Sequence, residues 1–246
     1  MMTIHRLMAL LLALLVLAGS CFSQDENKRK WSDEAEFSFV DTAGNTDVLT
    51  LAFKNLFTYT FSEKINASWK IGALYGTSDG ETNAESYFTD LRLNYNVSER
   101  FYVSIGGGWL KDEFAGFNSR YYLGPTAGYK ILIGPRHFLN AEGGVDYVRE
   151  NYVTDTQDSF AGGRAGGHYE LAITETSKFT QQVTFMIDFE NSDKYYVHSV
   201  TAIISALNNY LSLKGSYEVK FNNRPIPDTL EKTDTVLALA LVVNIQ

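Results

Sequence analysis

Apolar positions along this chain recur with period two. From Val48 to Phe61 the odd positions read Leu49, Leu51, Phe53, Asn55, Phe57, Tyr59 and Phe61, nearly all large and apolar. The even positions read Val48, Thr50, Ala52, Lys54, Leu56, Thr58 and Thr60, mostly small or polar. Such alternation marks a strand with one dry and one wet face. The run is about fourteen residues long, where strands of soluble domains usually stop near five or six.

The pattern predicts about twelve strands. They fall near Ser32–Asp41, Val48–Phe61, Ile65–Thr77, Glu85–Val97, Phe101–Leu110 and Arg120–Ile131. The others fall near Phe138–Val148, Phe160–Ile173, Phe179–Phe189, Tyr195–Ala206, Tyr210–Phe221 and Asp234–Ile245. The tenth is the weakest, because both of its parities are mixed. No helical period competes over a comparable length.

Connections alternate in length. After even strands they are tight: SEK, SER, GPR, ETSK and NN. After odd strands most are longer and more polar: SDGETN, KDEFAGFNS, ENYVTDTQDS and NNRPIPDTLEK, with TAGNTD and ENSDK as shorter members. Transmembrane barrels have short turns at one end and longer loops at the other. Strands of roughly 9–11 residues cross a bilayer when tilted. The expected fold class is therefore all-β: a single transmembrane, antiparallel, up-and-down β-barrel of about 12 strands.

Alternation alone does not say which face meets lipid, and a soluble lipid-binding barrel in the periplasm would turn the apolar parity inward. Aromatics at both strand ends favour lipid outside, as in interfacial girdles. Tyr59, Phe61, Tyr95, Phe101, Tyr129, Tyr169 and Phe179 fall near the short-turn end. Phe39, Tyr75, Tyr87, Trp109, Tyr121, Tyr147, Phe189 and Tyr217 fall near the loop end.

The first 23 residues read differently. His5 and Arg6 precede an apolar run from Leu7 to Ala18 and then GSCFSQ. This is the pattern of a secretory signal, too short for a spanning helix. Residues 1–23 are expected to be a cleaved signal peptide and 24–246 the barrel domain. LAGSC also allows a lipidated Cys21, the sole cysteine of the chain. Formal net charge is −8 over 246 residues, and loss of Arg6 with the signal makes the remainder more negative. That argues against a nucleic-acid partner.

Several stretches resemble the domain-of-unknown-function 481 family, often labelled salt-induced outer-membrane proteins. They are FSFVDTAGNT, DLRLNYNVSERF, DEFAGFNSRYYLGPTAGY, AEGGVDY, SYEVKFNNRPIP and KTDT, spread in order over nearly all of the chain after the signal. The resemblance implies an outer-membrane β-barrel in a Gram-negative-type envelope. Outer-membrane lipid and the barrel-assembly machinery would be its partners. It implies no activity and no catalytic residue. One departure is the ending Asn244-Ile245-Gln246, where outer-membrane barrels typically close on an aromatic residue.

Charges gather on the polar parity. Lys54, Lys70, Asp90, Arg92, Arg120, Glu142, Asp146, Arg164, His168, Glu170, Asp188, Lys214, Glu218 and Asp234 are the candidate lumen-lining residues. Glu34, Glu36, Glu150 and Lys220 share that parity. Buried charges must be paired or wet. Two readings follow: a structural lattice of cross-strand ion pairs that closes the lumen, suited to osmotic adaptation, or a narrow passive pore for ions or small polar solutes whose preference the charges tune.

Enzyme readings do poorly. No H-E-x-x-H occurs, and His198 and Ser199, adjacent in a strand, point to opposite faces. No cofactor is expected. SDGE at 78–81 offers oxygen ligands for calcium but reads more simply as a hairpin loop. GGRAGGHYE lacks phosphate-cradle spacing. Phe114, Phe117, Tyr152 and Arg224 read as solvent loop residues, with a partner-binding surface as the alternative.

Overall fold

The structure, a computed structural model, describes residues 30–42 and 48–245. The signal segment at 1–23, the alternatives for Cys21 and the AGNTD turn lie outside the described residues. Twelve strands follow in chain order: β1 (Trp31–Thr42), β2 (Val48–Thr60), β3 (Ile65–Ser78), β4 (Glu81–Asn96), β5 (Phe101–Asp112), β6 (Phe117–Ile133), β7 (His137–Tyr152), β8 (Gln157–Ala172), β9 (Ser177–Asp188), β10 (Tyr195–Ala206), β11 (Leu211–Asn222) and β12 (Thr233–Ile245). Each pairs antiparallel with its sequence neighbours, and β12 returns to β1 to close the barrel. Closure satisfies the ladder hydrogen bonds that an open edge would leave to the bilayer.

Side-chain contacts between strands that are not neighbours in the wall identify the inner face. Lys54 on β2 reaches Glu218 on β11, Arg92 on β4 reaches Glu142 on β7, and Lys220 on β11 reaches Asp112 on β5. Such pairs can meet only through the lumen. Even-numbered positions therefore point inward. Odd ones carry the apolar parity outward: Leu91, Leu123, Tyr147, Leu237 and Leu239 are among the exposed apolar side chains. A soluble carrier would have the reverse arrangement.

Above the upper aromatics the outer face turns charged. Glu85 registers with Tyr75, Lys111 with Tyr87 and Arg149 with Tyr121, and Lys111 pairs with Glu113 at 2.8 Å. This step marks the upper edge of the apolar belt.

The mixed parity of β10 has a physical cause. Its outward Ser199 and Thr201 form a hydrogen-bonded group with Gln181 of β9: Gln181 Nε2 donates to Ser199 Oγ at 2.9 Å and Thr201 Oγ1 donates to Gln181 Oε1 at 2.6 Å. Polar groups facing lipid are tolerable when they satisfy one another.

Loop-end differences from the sequence expectation come from strand extension. β6 runs 17 residues and β7 and β8 run 16 each, so KDEFAGFNS and ENYVTDTQDS shrink to 113–116 and 153–156. SDGETN becomes a two-residue hairpin with φ of 52° at Asp79 and 82° at Gly80, the mirror-image turn that suits the strand twist. The segment 223–232 remains long.

At the β1–β12 joint the register covers Asp33↔Ile245 to Ser38↔Ala240. Both strands run on beyond it, β1 to Thr42 and β12 back to Thr233. Just past the last pair, Ser38 Oγ donates to the Leu239 carbonyl at 2.8 Å.

Candidate functional site

The lumen is filled unevenly. Toward the loop end, on the β6–β10 side, Phe117, Val148, Tyr152, Phe160 and Tyr196 form a buried cluster, with Ala115 and Ile226 packed against it. Glu150 lies among them at 0% exposure. Its carboxylate faces two cations, Arg120 Nε at 3.0 Å and Lys194 Nζ at 2.7 Å. It also accepts hydrogen bonds from Tyr152 OH at 2.5 Å and Tyr196 OH at 3.1 Å. The Arg120 contact is an ion contact without aligned hydrogen-bond geometry. The Arg120 guanidinium instead lies over the Tyr196 ring at 3.9 Å, a cation–π geometry that favours a desolvated arginine. Lys194 reaches in from the β9–β10 turn, bonds Asp158 at 2.6 Å and sits 4.1 Å over Phe160.

Below this cluster Asp146 and Arg164 stand 3.0 Å apart, with Arg164 Nη2 donating to Thr126 Oγ1 at 3.0 Å. Asp188 is buried at the top of β9, where its Oδ1 accepts from the Glu190 amide at 2.8 Å. It holds the turn that delivers Lys194.

Toward the short turns the lumen opens. Arg92 clasps Glu142 with two hydrogen bonds, 2.7 and 3.2 Å, and its Nε donates to Ser104. Tyr102 OH also donates to Glu142, at 3.1 Å. The Tyr102 ring lies flat on Gly128, where a Cβ would fall 2.1 Å from Cζ. His168 and Lys178 both contact Glu170, at 2.8 and 3.1 Å. At mid-height and just above it, on the β10–β2 side, His198 and Lys54 both contact Glu218, each at 2.9 Å. The His198 side chain is 46% exposed and that of Lys54 32%, so water reaches this face.

Four more candidates line the β11–β4 side. Lys214 pairs with Glu36 at 2.6 Å across β12. Lys70 makes no direct ion pair among the described residues and lies 5.6 Å from the centre of the Phe88 ring. Asp90, its registered neighbour, leans over Gly108 of β5. Asp234 registers with Lys220 at the loop end and is exposed. All fourteen candidates thus fall on the inner parity, but they form separate groups. Arg120, Asp146, Arg164 and Asp188 belong to the packed side. The remainder face the wetter part of the lumen.

Phe117 and Tyr152 correct the reading of the long loops as solvent-facing. They are 3% and 2% exposed. Register shifts at Leu110/Asp112 and Phe117/Ser119 switch parity and turn the odd-numbered Phe117 inward, as β-bulges do. Lys194, placed in a plain turn by sequence, is a member of the buried network. Phe114 is exposed, and Arg224 is exposed and pairs with Asp193 at 2.6 Å. Among the described residues there is no cluster of His, Cys, Asp and Glu arranged to hold a metal.

The family described as "Protein of unknown function, DUF481" matches residues 35–245. The uncharacterized protein YdiY of Escherichia coli (strain K12) is 26% identical over 216 residues, covering 87% of this chain and 83% of that protein. Among solved structures, the translocator domain of autotransporter NalP from Neisseria meningitidis aligns at TM-score 0.51 and 13% identity, over 98% of this chain and 96% of that one. The NanC porin aligns at TM-score 0.48 and 10% identity, over 87% and 97%. At such identity the likeness to NalP extends to the fold, an outer-membrane β-barrel.

Proposed function

The chain belongs to the DUF481 family of proteins of unknown function, and from that premise we propose that it resides in the outer membrane as a narrow passive pore for ions or small polar solutes. The observation that carries this reading is the uneven lumen. One side is packed solid around Glu150. The other keeps charged inward side chains partly exposed, from His198 and Lys54 to Lys220, which is 32% exposed. A water-filled strip lined by both signs of charge suits small hydrated ions better than apolar or large solutes. Twelve strands also lie between the eight that side chains can fill and the sixteen of wide porins. Export through a cleaved signal over residues 1–23 belongs to the same reading.

A second reading, the closed envelope barrel, draws on Lys220–Asp112, an ion pair of 2.9 Å that spans the lumen from β11 to β5. Single-channel recording of the refolded protein in a planar bilayer separates the two. Discrete, reproducible steps support the pore. A silent bilayer, with heat-shifted gel mobility confirming the folded barrel, supports the closed lattice and refutes the pore.

A further inference from the structure

We propose that the inner wall of β2–β5 above Lys54 is a binding site for an aliphatic carboxylate, with the tail on the wall and the headgroup on Lys70. The site does not require the lumen to conduct.

This wall is unlike the rest of the lumen. Ala52 registers with Leu74, and Phe88 registers with Leu110. Phe88 lies flat across Gly72, where a Cβ would fall 2.2 Å from its ring. All four apolar side chains are inward, and all are only partly buried. Apolar surface left to water costs about 25 cal/mol per Å², so this patch favours an apolar occupant. It stands apart from the aromatic cluster around Glu150, which is already packed.

Lys70 lies at its lower edge, two residues before Gly72 on β3. Lys54, Arg92, Arg120, Arg164, Lys214 and Lys220, also inward, each have a carboxylate within ion-pair distance. Lys70 does not, among the described residues. Asp90 is the nearest candidate by register, but its carboxylate leans over Gly108 on β5, away from β3. At longer than ion-pair distance Asp90 and Glu218 attract the Lys70 ammonium, and Lys54 and Lys214 repel it. Its ammonium is left on the Phe88 ring, a contact that a carboxylate would complement without displacing it. An apolar wall ending in a cation without a direct partner matches an amphiphile with one anionic oxygen pair. It matches neither a sugar, which needs a wall of hydrogen-bonding groups, nor an inorganic anion, which gains nothing from Leu74 and Phe88.

The test uses the full chain with Cys21→Ser and Ala84→Cys, the cysteine carrying a trifluoromethyl tag, in lipid nanodiscs. Ala84 is inward beside Gly76, next to the wall and outside the proposed contacts. Fluorine spectra are titrated with decanoate, decanol and acetate. Saturable shifts with decanoate, at least roughly tenfold weaker for decanol and absent for acetate, are expected from a charge-assisted contact. Lys70→Met should abolish the preference for decanoate over decanol, and Lys70→Arg should keep it. Equal responses to decanoate and decanol, or a linear response typical of partition into lipid, would overturn the proposal without any variant being needed. A silent bilayer together with saturable decanoate binding would refute the pore and leave this site standing.

Discussion

Glu150→Ala is the substitution with the largest expected cost. Glu150 is fully buried and its carboxylate faces both Arg120 and Lys194, whose side chains are themselves nearly buried. Its removal leaves two desolvated cations without their anion and two tyrosine hydroxyls without their acceptor. Breaking a buried ion pair from one side costs about 3–5 kcal/mol. Each orphaned hydroxyl adds about 1–3 kcal/mol, offset by water entering the space the carboxylate leaves. Asp158 still holds Lys194, so the expected total is about 4 kcal/mol. Urea unfolding in lipid bilayers, followed by tryptophan fluorescence with linear extrapolation, measures it. The reasoning makes a second demand. Arg120→Met, Glu150→Leu and Lys194→Met together remove every charge at once and should return stability to within about 2 kcal/mol of the natural protein. A cost below about 1 kcal/mol for Glu150→Ala, or a triple variant as unstable as the single one, would refute the account of orphaned charge.

Three further outcomes follow from the geometry. Gly128→Val should displace the Tyr102 ring and cost about 1–3 kcal/mol by overpacking, read in the same unfolding assay, with Gly134→Val in an open turn as the near-neutral control. Leu91→Arg, at an outward position 61% exposed, should cost about 2–4 kcal/mol near the bilayer midplane, whereas Gln182→Arg on the wet inner face should cost almost nothing. If the lumen conducts, Asp90→Asn and Glu218→Gln should weaken any cation preference in reversal-potential measurements. Asp146→Asn should leave that preference unchanged, because Asp146 is buried behind Arg164.

Much of the barrel was legible because period two reports local geometry. Strand number, the inward parity of Lys54 through Asp234, and the outward aromatics all follow from which side of a pleat a residue occupies. Pairing across the lumen did not follow. Whether Lys220 meets Asp112 or Asp234 depends on strand tilt and closure, which no single strand encodes. Phe117 was misplaced because a bulge in β6 just before Arg120, registered against both β5 and β7, broke the parity that placed everything else. Lys194 was invisible for a different reason: a turn lysine ordinarily points to solvent, and only the buried carboxylate of Glu150 draws it inward. Unequal packing of the two sides was equally hidden, since glycines such as Gly108 and Gly128 signal room without saying which ring or carboxylate fills it.

The joint between β1 and β12 orders events in time. Other neighbouring strands are joined by turns or single loops, whereas Ser38 and Leu239 meet across 201 positions of sequence. Hairpins close within microseconds, but this joint must wait until the intervening sheet has formed and curled. Until then β1 and β12 are both free edges, and a free edge in lipid is the costliest intermediate the chain can pass through. Assembly is therefore gated by the last seam. The same seam, registered over only part of its length, is where the finished wall should unzip first. Amide exchange is expected to be fastest at Leu237 and Leu239 and slowest along β6 and β7, a gradient that runs around the circumference instead of from surface to core.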